Sequence, residues 1–138
     1  MAEKNQLKVR LVTPDRILVD QNVDAVEVPS KSGYFEVLYG HSPLLAELGP
    51  GEVRLHGGDH HDGDRFNVAR GFVEVLPERV TILAESAMKP EEVDHPAAQL
   101  ELGHGRKLWA DAGDDPEKYE QANEVMREAE SKLESAKG

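Results

Sequence analysis

Between Leu7 and about Glu85 apolar and polar residues alternate with a period of two, and after Lys89-Pro90 that alternation stops. A period of two is the repeat of a strand with one buried face, whereas a helix repeats every 3.6 residues, so the chain divides into two kinds of structure. The candidate strands are Leu7–Thr13, Ile17–Val19, Val23–Val28, Phe35–Leu38, Leu44–Leu48, Val53–Leu55, Arg65–Ala69, Phe72–Leu76 and Val80–Glu85. Turn residues separate them at Thr13-Pro14-Asp15, at 29–33, at Gly49-Pro50-Gly51 and at Pro77-Glu78-Arg79. Many short strands at this even spacing predict a β-sandwich.

Beyond the boundary, Ala, Glu, Gln and Lys replace the β-branched residues, which is helix composition. Asp115 suits an N-cap and Pro116 a first helical position. From there Tyr119, Ala122, Met126, Ala129, Leu133 and Ala136 recur at spacings of three and four, a narrow seam for packing against one other helix. The partner is expected over about 96–109, capped by Asp94 and opened by Pro96, with Ala97, Leu100 and Leu108 on one side. Gly103 and Gly105 each cost roughly 1 kcal/mol relative to Ala in a helix interior, so that helix is expected to be marginal and interrupted. The expected organisation is a β-sandwich domain over 1–88 and a C-terminal α-helical hairpin over 89–138.

Charge and composition exclude several function classes. The formal net charge is −11, from 27 acids and 16 bases, which repels phosphate backbones and anionic lipid, so no nucleic acid partner is expected. Both halves are acidic, −4 over 1–89 and −7 over 90–138. There is no cysteine to serve as a disulfide or a thiol nucleophile, no signal peptide at the start, and no run of 18 apolar residues for direct membrane insertion.

The densest cluster of polar chemistry is 56–64, HGGDHHDGD. With Gly63 as the loop's sixth residue it fails the calcium-loop pattern, because Gly58, His60 and Ala69 stand where acids are needed and only Asp62 fits. Adjacent side chains such as His60 and His61 diverge on an extended backbone, so the favoured reading is a polar hairpin tip between two strands. A second reading, a free-standing metal-binding β-sandwich that uses His56, His60, His61 and the nearby acids, stays open at this point. His41-Ser42 lacks an acid to orient the imidazole, so it makes no catalytic pair. No Gly-Lys dipeptide supports a phosphate loop, and Glu27, Glu36, Glu74 and Glu85 fall at polar positions of alternating strands. No catalytic residue, metal or cofactor is expected, and the chain does not read as an enzyme.

Three stretches carry a resemblance. VPSKSGYFEVLYGHSPLLAELGPGEV resembles a Gly-His-Ala-Pro-Leu segment through Gly40, His41, Pro43, Leu44, Leu45, Leu48, Pro50 and Gly51. RFNVARGFVEVLPERVTILAESA is similar to a Gly-Gly-phi-x-Glu-Val segment with its following Val-Thr-phi-Leu-Ala, through Gly71, Phe72, Glu74, Val75, Pro77, Val80, Thr81, Leu83 and Ala84. GDDPEKYEQANEVMREAESKLE is similar to the second helix of a terminal hairpin through Asp115, Tyr119, Ala122 and Leu133. Together, in this order, they resemble the epsilon subunit of F-type ATP synthase.

The resemblance implies a sandwich of about ten strands followed by the hairpin, in a non-catalytic rotor subunit of the central stalk. Its implied partners are the gamma subunit and the c-ring and, through the hairpin, the alpha and beta subunits, so that proton translocation is coupled to ATP synthesis. The implied location is peripheral, on the cytoplasmic face of the bacterial plasma membrane. Ser30, Lys31, Ser32, Tyr34, His41 and Ser42 become the c-ring contact candidates, and Arg70, Phe72 and Glu74 the gamma contact candidates. Tyr34 stands where an acid is common and Arg70 where a second Gly is usual. The Asp-x-x-Arg-Ala pattern with which some members bind ATP has Ala97 in place of its Arg, so no nucleotide is expected. The hairpin is expected to regulate ATP hydrolysis, but weakly, because its second helix carries seven acids against four bases.

Overall fold

The structure, a computed structural model, describes residues 5–58 and 63–137. Ten strands form two five-stranded sheets. The first sheet contains β1 (Leu7–Val12), β2 (Ile17–Val23), β5 (Leu44–Glu47), β8 (Gly71–Leu76) and β9 (Arg79–Ala84), in the order β2-β1-β9-β8-β5. The second contains β3 (Ala25–Ser30), β4 (Gly33–Leu38), β6 (Gly51–His56), β7 (Arg65–Val68) and β10 (Ala87–Met88), in the order β10-β7-β6-β3-β4. Neighbours run antiparallel except β1 and β9, which are parallel.

The predicted alternation is what builds the core. Leu7, Val9 and Leu11 of β1 face inward with Val73, Val75, Val80 and Ile82, and from the other sheet Val26, Val28, Val37, Val53, Leu55, Phe66 and Val68 meet them. Each large aliphatic side chain buried in this way contributes about 1.5–3 kcal/mol, so this interior dominates the stability of the unit.

Two elements differ from expectation. The second strand continues through Asp20-Gln21-Asn22, which looks like a break in the sequence, because those residues pair in register with Arg10, Val9 and Lys8. Asp20 also meets Lys8 and Arg10 at 3.7 and 3.8 Å across the strands. The last strand, β10, is two residues long and forms only by pairing with Val68 and Asn67, so no periodicity announces it.

The chain divides between Met88 and Lys89 into two compact units. The second contains a short 3-10 turn (Pro90–Glu92), α1 (His95–Ala110) and α2 (Pro116–Lys137). Asp94 caps α1 by accepting from the Ala97 amide at 3.0 Å, and Asp115 accepts from Glu117 at 3.0 Å at the start of α2. The expectation of an interrupted first helix is corrected: α1 is continuous through both glycines. At Gly105 a Cβ would lie 2.6 Å from Met126 Cγ and 3.2 Å from the Met126 backbone nitrogen. That glycine lets α2 approach, and the close packing offsets its low helix propensity.

The seam follows from this approach. On α1 it runs through Ala98, Leu102, Gly105 and Leu108, not through Ala97 and Leu100; Leu100 is 76% exposed. On α2, Ala122 and Ala129 are fully buried while Tyr119, Met126 and Leu133 are half-buried beside them, and Ser135 rather than Ala136 takes the last buried place. Trp109 meets Tyr119 edge-on at 5.3 Å, and Lys132 bridges back to Glu101 at 3.0 Å.

Candidate docking surfaces

Strand register sorts the solvent face of the first sheet into rows. In one row Glu47 of β5 faces Phe72, Phe72 faces Leu83, Leu83 faces Val12, and Val12 faces Ile17. Phe72, Leu83 and Ile17 are each more than half exposed, so three large apolar side chains stand in solvent along one line. The next row is Leu45, Glu74, Thr81, Arg10 and Asp20, mostly charged or polar. A monomer gains nothing by lining up exposed Phe, Leu and Ile across three strands; such a patch with a charged border is what a protein interface uses. Phe72 and Glu74 therefore lie in adjacent rows of this face.

The six residues expected on a ring-facing end are not brought together. Ser30 ends β3 and Lys31 and Ser32 form the two-residue turn that leads into β4, while His41 and Ser42 follow the far end of β4. Six residues of strand stand between them, about 20 Å at the rise of a β-strand. The signal was present in the sequence, because residues before and after one strand lie at opposite ends of it. Tyr34, the second residue of β4, lies near the turn end but is engaged across the second sheet: it opposes Pro29, its hydroxyl accepts from the Glu52 amide at 2.9 Å, and its ring lies 5.4 Å from the Arg54 guanidinium. Gly51 makes room for it, since a Cβ there would be 2.5 Å from the Tyr34 hydroxyl.

The end that holds Ser30–Ser32 is polar and tied down. The Ser30 hydroxyl donates to the Gly33 carbonyl at 2.6 Å, the Lys31 amide donates to Glu47 at 3.1 Å, and the Lys31 ammonium also meets the Glu47 carboxylate at 3.1 Å. Leu48 bridges to Ser30 and donates to the Gly71 carbonyl at 2.9 Å, which brings Arg70 to the same end, where it meets Glu85 at 3.8 Å. At the opposite end, the His41 ring nitrogen Nδ1 lies 2.7 Å from the Ser42 carbonyl, and Gly40 donates to Pro77 at 2.6 Å. His41 is thus engaged with backbone and forms no nucleophile and base pair with the Ser42 hydroxyl.

The solvent face of the second sheet carries a row of charges: Glu36, Glu27, Arg54 and Arg65 face one another in turn across β4, β3, β6 and β7. Glu52, only 8% exposed, accepts from Arg54 at 3.1 and 3.2 Å on one oxygen and from Arg65 at 3.0 Å on the other. Burial works against the Arg54 charge, but the hydrogen bonds to Glu52 and the charges of Tyr34, Glu52 and Glu27 outweigh it and raise the guanidinium above its ordinary pKa. Sequence alternation marked Glu27 and Glu36 as polar positions; it could not show that two arginines share one buried carboxylate.

At the base of the β6–β7 connection Leu55 donates to Asp64 at 2.8 Å and Gly63 donates to Leu55 at 3.0 Å, while the tip itself, 59–62, lies outside the described residues. His60 and His61, named in the metal-binding alternative, lie outside the described residues. Among the described residues no helix is long and apolar enough to cross a membrane.

A sandwich of two five-stranded sheets, with an apolar row on one face and a polar turn end, defines the class. Residues 6–90 match the family described as ATP synthase, Delta/Epsilon chain, beta-sandwich domain. The chain belongs to the epsilon-chain family of F-type ATP synthase. An ATP synthase epsilon chain of Koribacter versatilis is 44% identical over 91 residues, 64% of this chain and 61% of that relative, so the match spans less than two thirds of its length. One from Brucella canis is 37% identical over 102 residues, 74% of this chain and 75% of the relative. In fold, the chain is similar to one in the Euglena gracilis mitochondrial ATP synthase OSCP/F1/c-ring structure, with a TM-score of 0.78 at 23% identity, covering 100% of this chain and 85% of that one. It is also similar to one in the central stalk/c-ring structure of Tetrahymena thermophila mitochondrial ATP synthase, with a TM-score of 0.65 at 14% identity, covering 98% and 99% of the two chains.

Proposed function

We propose that this chain is the non-catalytic stalk subunit that fixes gamma to the c-ring, so that ring rotation driven by protons reaches the catalytic head. The observation that carries the reading is the apolar row Phe72–Leu83–Val12–Ile17 beside a mostly charged or polar row, which fits gamma; the charged neighbours Glu74 and Arg10 set its register. The polar turn Ser30–Lys31–Ser32, pinned by Glu47, fits the polar loops of the c-ring, and Arg70 joins it at that end. A stiff body suits a part that transmits torque, and a close-packed two-sheet interior supplies stiffness. The subunit reaches the cytoplasmic face of the bacterial plasma membrane through these partners.

Reconstitution tests this. Wild-type chain is expected to form a stoichiometric complex with purified gamma at micromolar concentration, and Phe72→Asp with Leu83→Asp is expected to abolish it, while Lys31→Glu leaves gamma binding intact and lowers coupled ATP synthesis. Retention of full gamma affinity by the double variant would overturn the docking face.

A second reading concerns the hairpin. Its acidic second helix disfavours an acidic surface in the catalytic head, which supports weak regulation of ATP hydrolysis through alpha and beta. Deleting 90–138 is then expected to change hydrolysis by the assembled complex less than about twofold; a large rise would overturn this reading.

A further inference from the structure

His56, the first residue of HGGDHHDGD, is accounted for by neither docking surface. It ends β6 on the solvent face of the second sheet, where Glu27 and Glu36 face each other across β3 and β4. We propose that Glu27, Glu36 and His56 bind one divalent transition-metal ion of the zinc class.

Each of the three offers a ligand atom within 4.8 Å of the other two, and His56 Nε2 is already 2.8 Å from Glu27 Oε1. Two ligands on bonds of about 2.1 Å to a tetrahedral centre stand roughly 3.4 Å apart. The remaining contraction falls to Glu36, whose exposed side chain is free to rotate, while three adjacent strands hold the backbones in place. One imidazole nitrogen with two carboxylate oxygens suits zinc rather than calcium or magnesium, which prefer oxygen throughout.

Two observations besides proximity point to a cation. Glu27 and Glu36 are directly opposed like charges, an unfavourable cross-strand pair, and no positively charged side chain among the described residues pairs with Glu36. Arg54 and Arg65 are matched by Glu52 and Glu27, so Glu36 is the uncompensated charge of the row. The second observation is the support behind Glu27. Its other oxygen, Oε2, faces Arg54 Nη1 at 3.5 Å, and Arg54 is itself held by Glu52. Glu27 thus presents one oxygen outward and keeps the other in a fixed network, the outer-sphere arrangement that orients ligating carboxylates. With Nε2 on the ion, the imidazole carries its proton on Nδ1.

The proposal stands apart from the stalk reading, and zinc alone tests it. Full-length chain, stripped with chelator, is titrated with zinc chloride in a calorimeter beside Glu36→Gln, His56→Ala and a His60→Asn, His61→Asn double variant. One equivalent is expected to bind the parent and the double variant with the same affinity, and each of the first two is expected to weaken binding tenfold or more. Glu36→Gln removes the opposed charge, so without metal it is expected to melt no lower than the parent, which separates lost binding from lost fold. Undiminished binding by Glu36→Gln and His56→Ala, loss of binding in the double variant, or no binding at micromolar protein would overturn the proposal.

Discussion

The sandwich and the hairpin reach stability by opposite means. The largest fully buried side chains are all in the sandwich, among them Leu7, Leu11, Leu48, Leu55 and Ile82. The hairpin buries Ala98, Ala112, Ala122 and Ala129 together with Gly105 and Ser135, small residues that let two helices approach closely. One unit excludes water with volume, and the other relies on proximity along a line. The sandwich therefore tolerates polar surface changes and resists core changes, whereas the hairpin responds to a single added methyl group in its seam.

The largest expected effect is in the core. Ile82→Ala should cost about 3–4 kcal/mol in urea unfolding, read by the β-sheet signal, because the cavity is walled by both sheets. A cost below about 1 kcal/mol would mean that the interior collapses easily and that the contrast is overstated.

On the surface of the same unit, Glu52→Ala should cost about 2 kcal/mol, because Arg54 and Arg65 then share a half-buried site with no carboxylate between them. The Arg54 shift is upward, so the stability it contributes is fully present through neutral pH and is lost only as strongly alkaline pH rises through the folded value. A urea midpoint for the parent that falls between pH 6 and pH 9 because of this network would contradict that sign.

Gly105→Ala sharpens the comparison from the other side. The gain in helix propensity of about 1 kcal/mol is outweighed by contact with Met126, giving a net loss of about 1 kcal/mol in the helical melting signal. Gly103→Ala is the matched control: its Cβ meets nothing within 4 Å, so the substitution should stabilise the hairpin by about 1 kcal/mol. If the two substitutions shift the melt in the same direction, the seam is not set by close approach at Gly105.

These pairs also show what a single sequence can reveal. Alternation exposed Leu7, Val9 and Leu11 as one buried face because period two is a local property. The boundary of the sandwich match near residue 90 was visible for the same reason, as a change of composition. Gly105 was misread because its reason to be glycine is Met126, twenty-one residues away, and propensity counts only neighbours. Asp20 to Asn22 looked like a break because the partners that hold them in a strand, Lys8 and Arg10, belong to a different stretch. Phe72 was marked in the sequence through a motif, but Leu83 and Ile17 join it only once register is known. His56, Glu27 and Glu36 come from three strands, and no spacing along the chain brings them to one point.

The parallel pair of strands has a consequence for how the chain is made. Lys8 pairs with Arg79 and Val12 with Leu83, so the N-terminal strand waits for a partner about 70 residues later, at the centre of the first sheet. A ribosome must release nearly the whole sandwich before that sheet can close. Until then Leu7, Val9 and Leu11 have only their hairpin with β2 for cover, and a nascent chain stalled before residue 79 presents them to whatever binds apolar segments first.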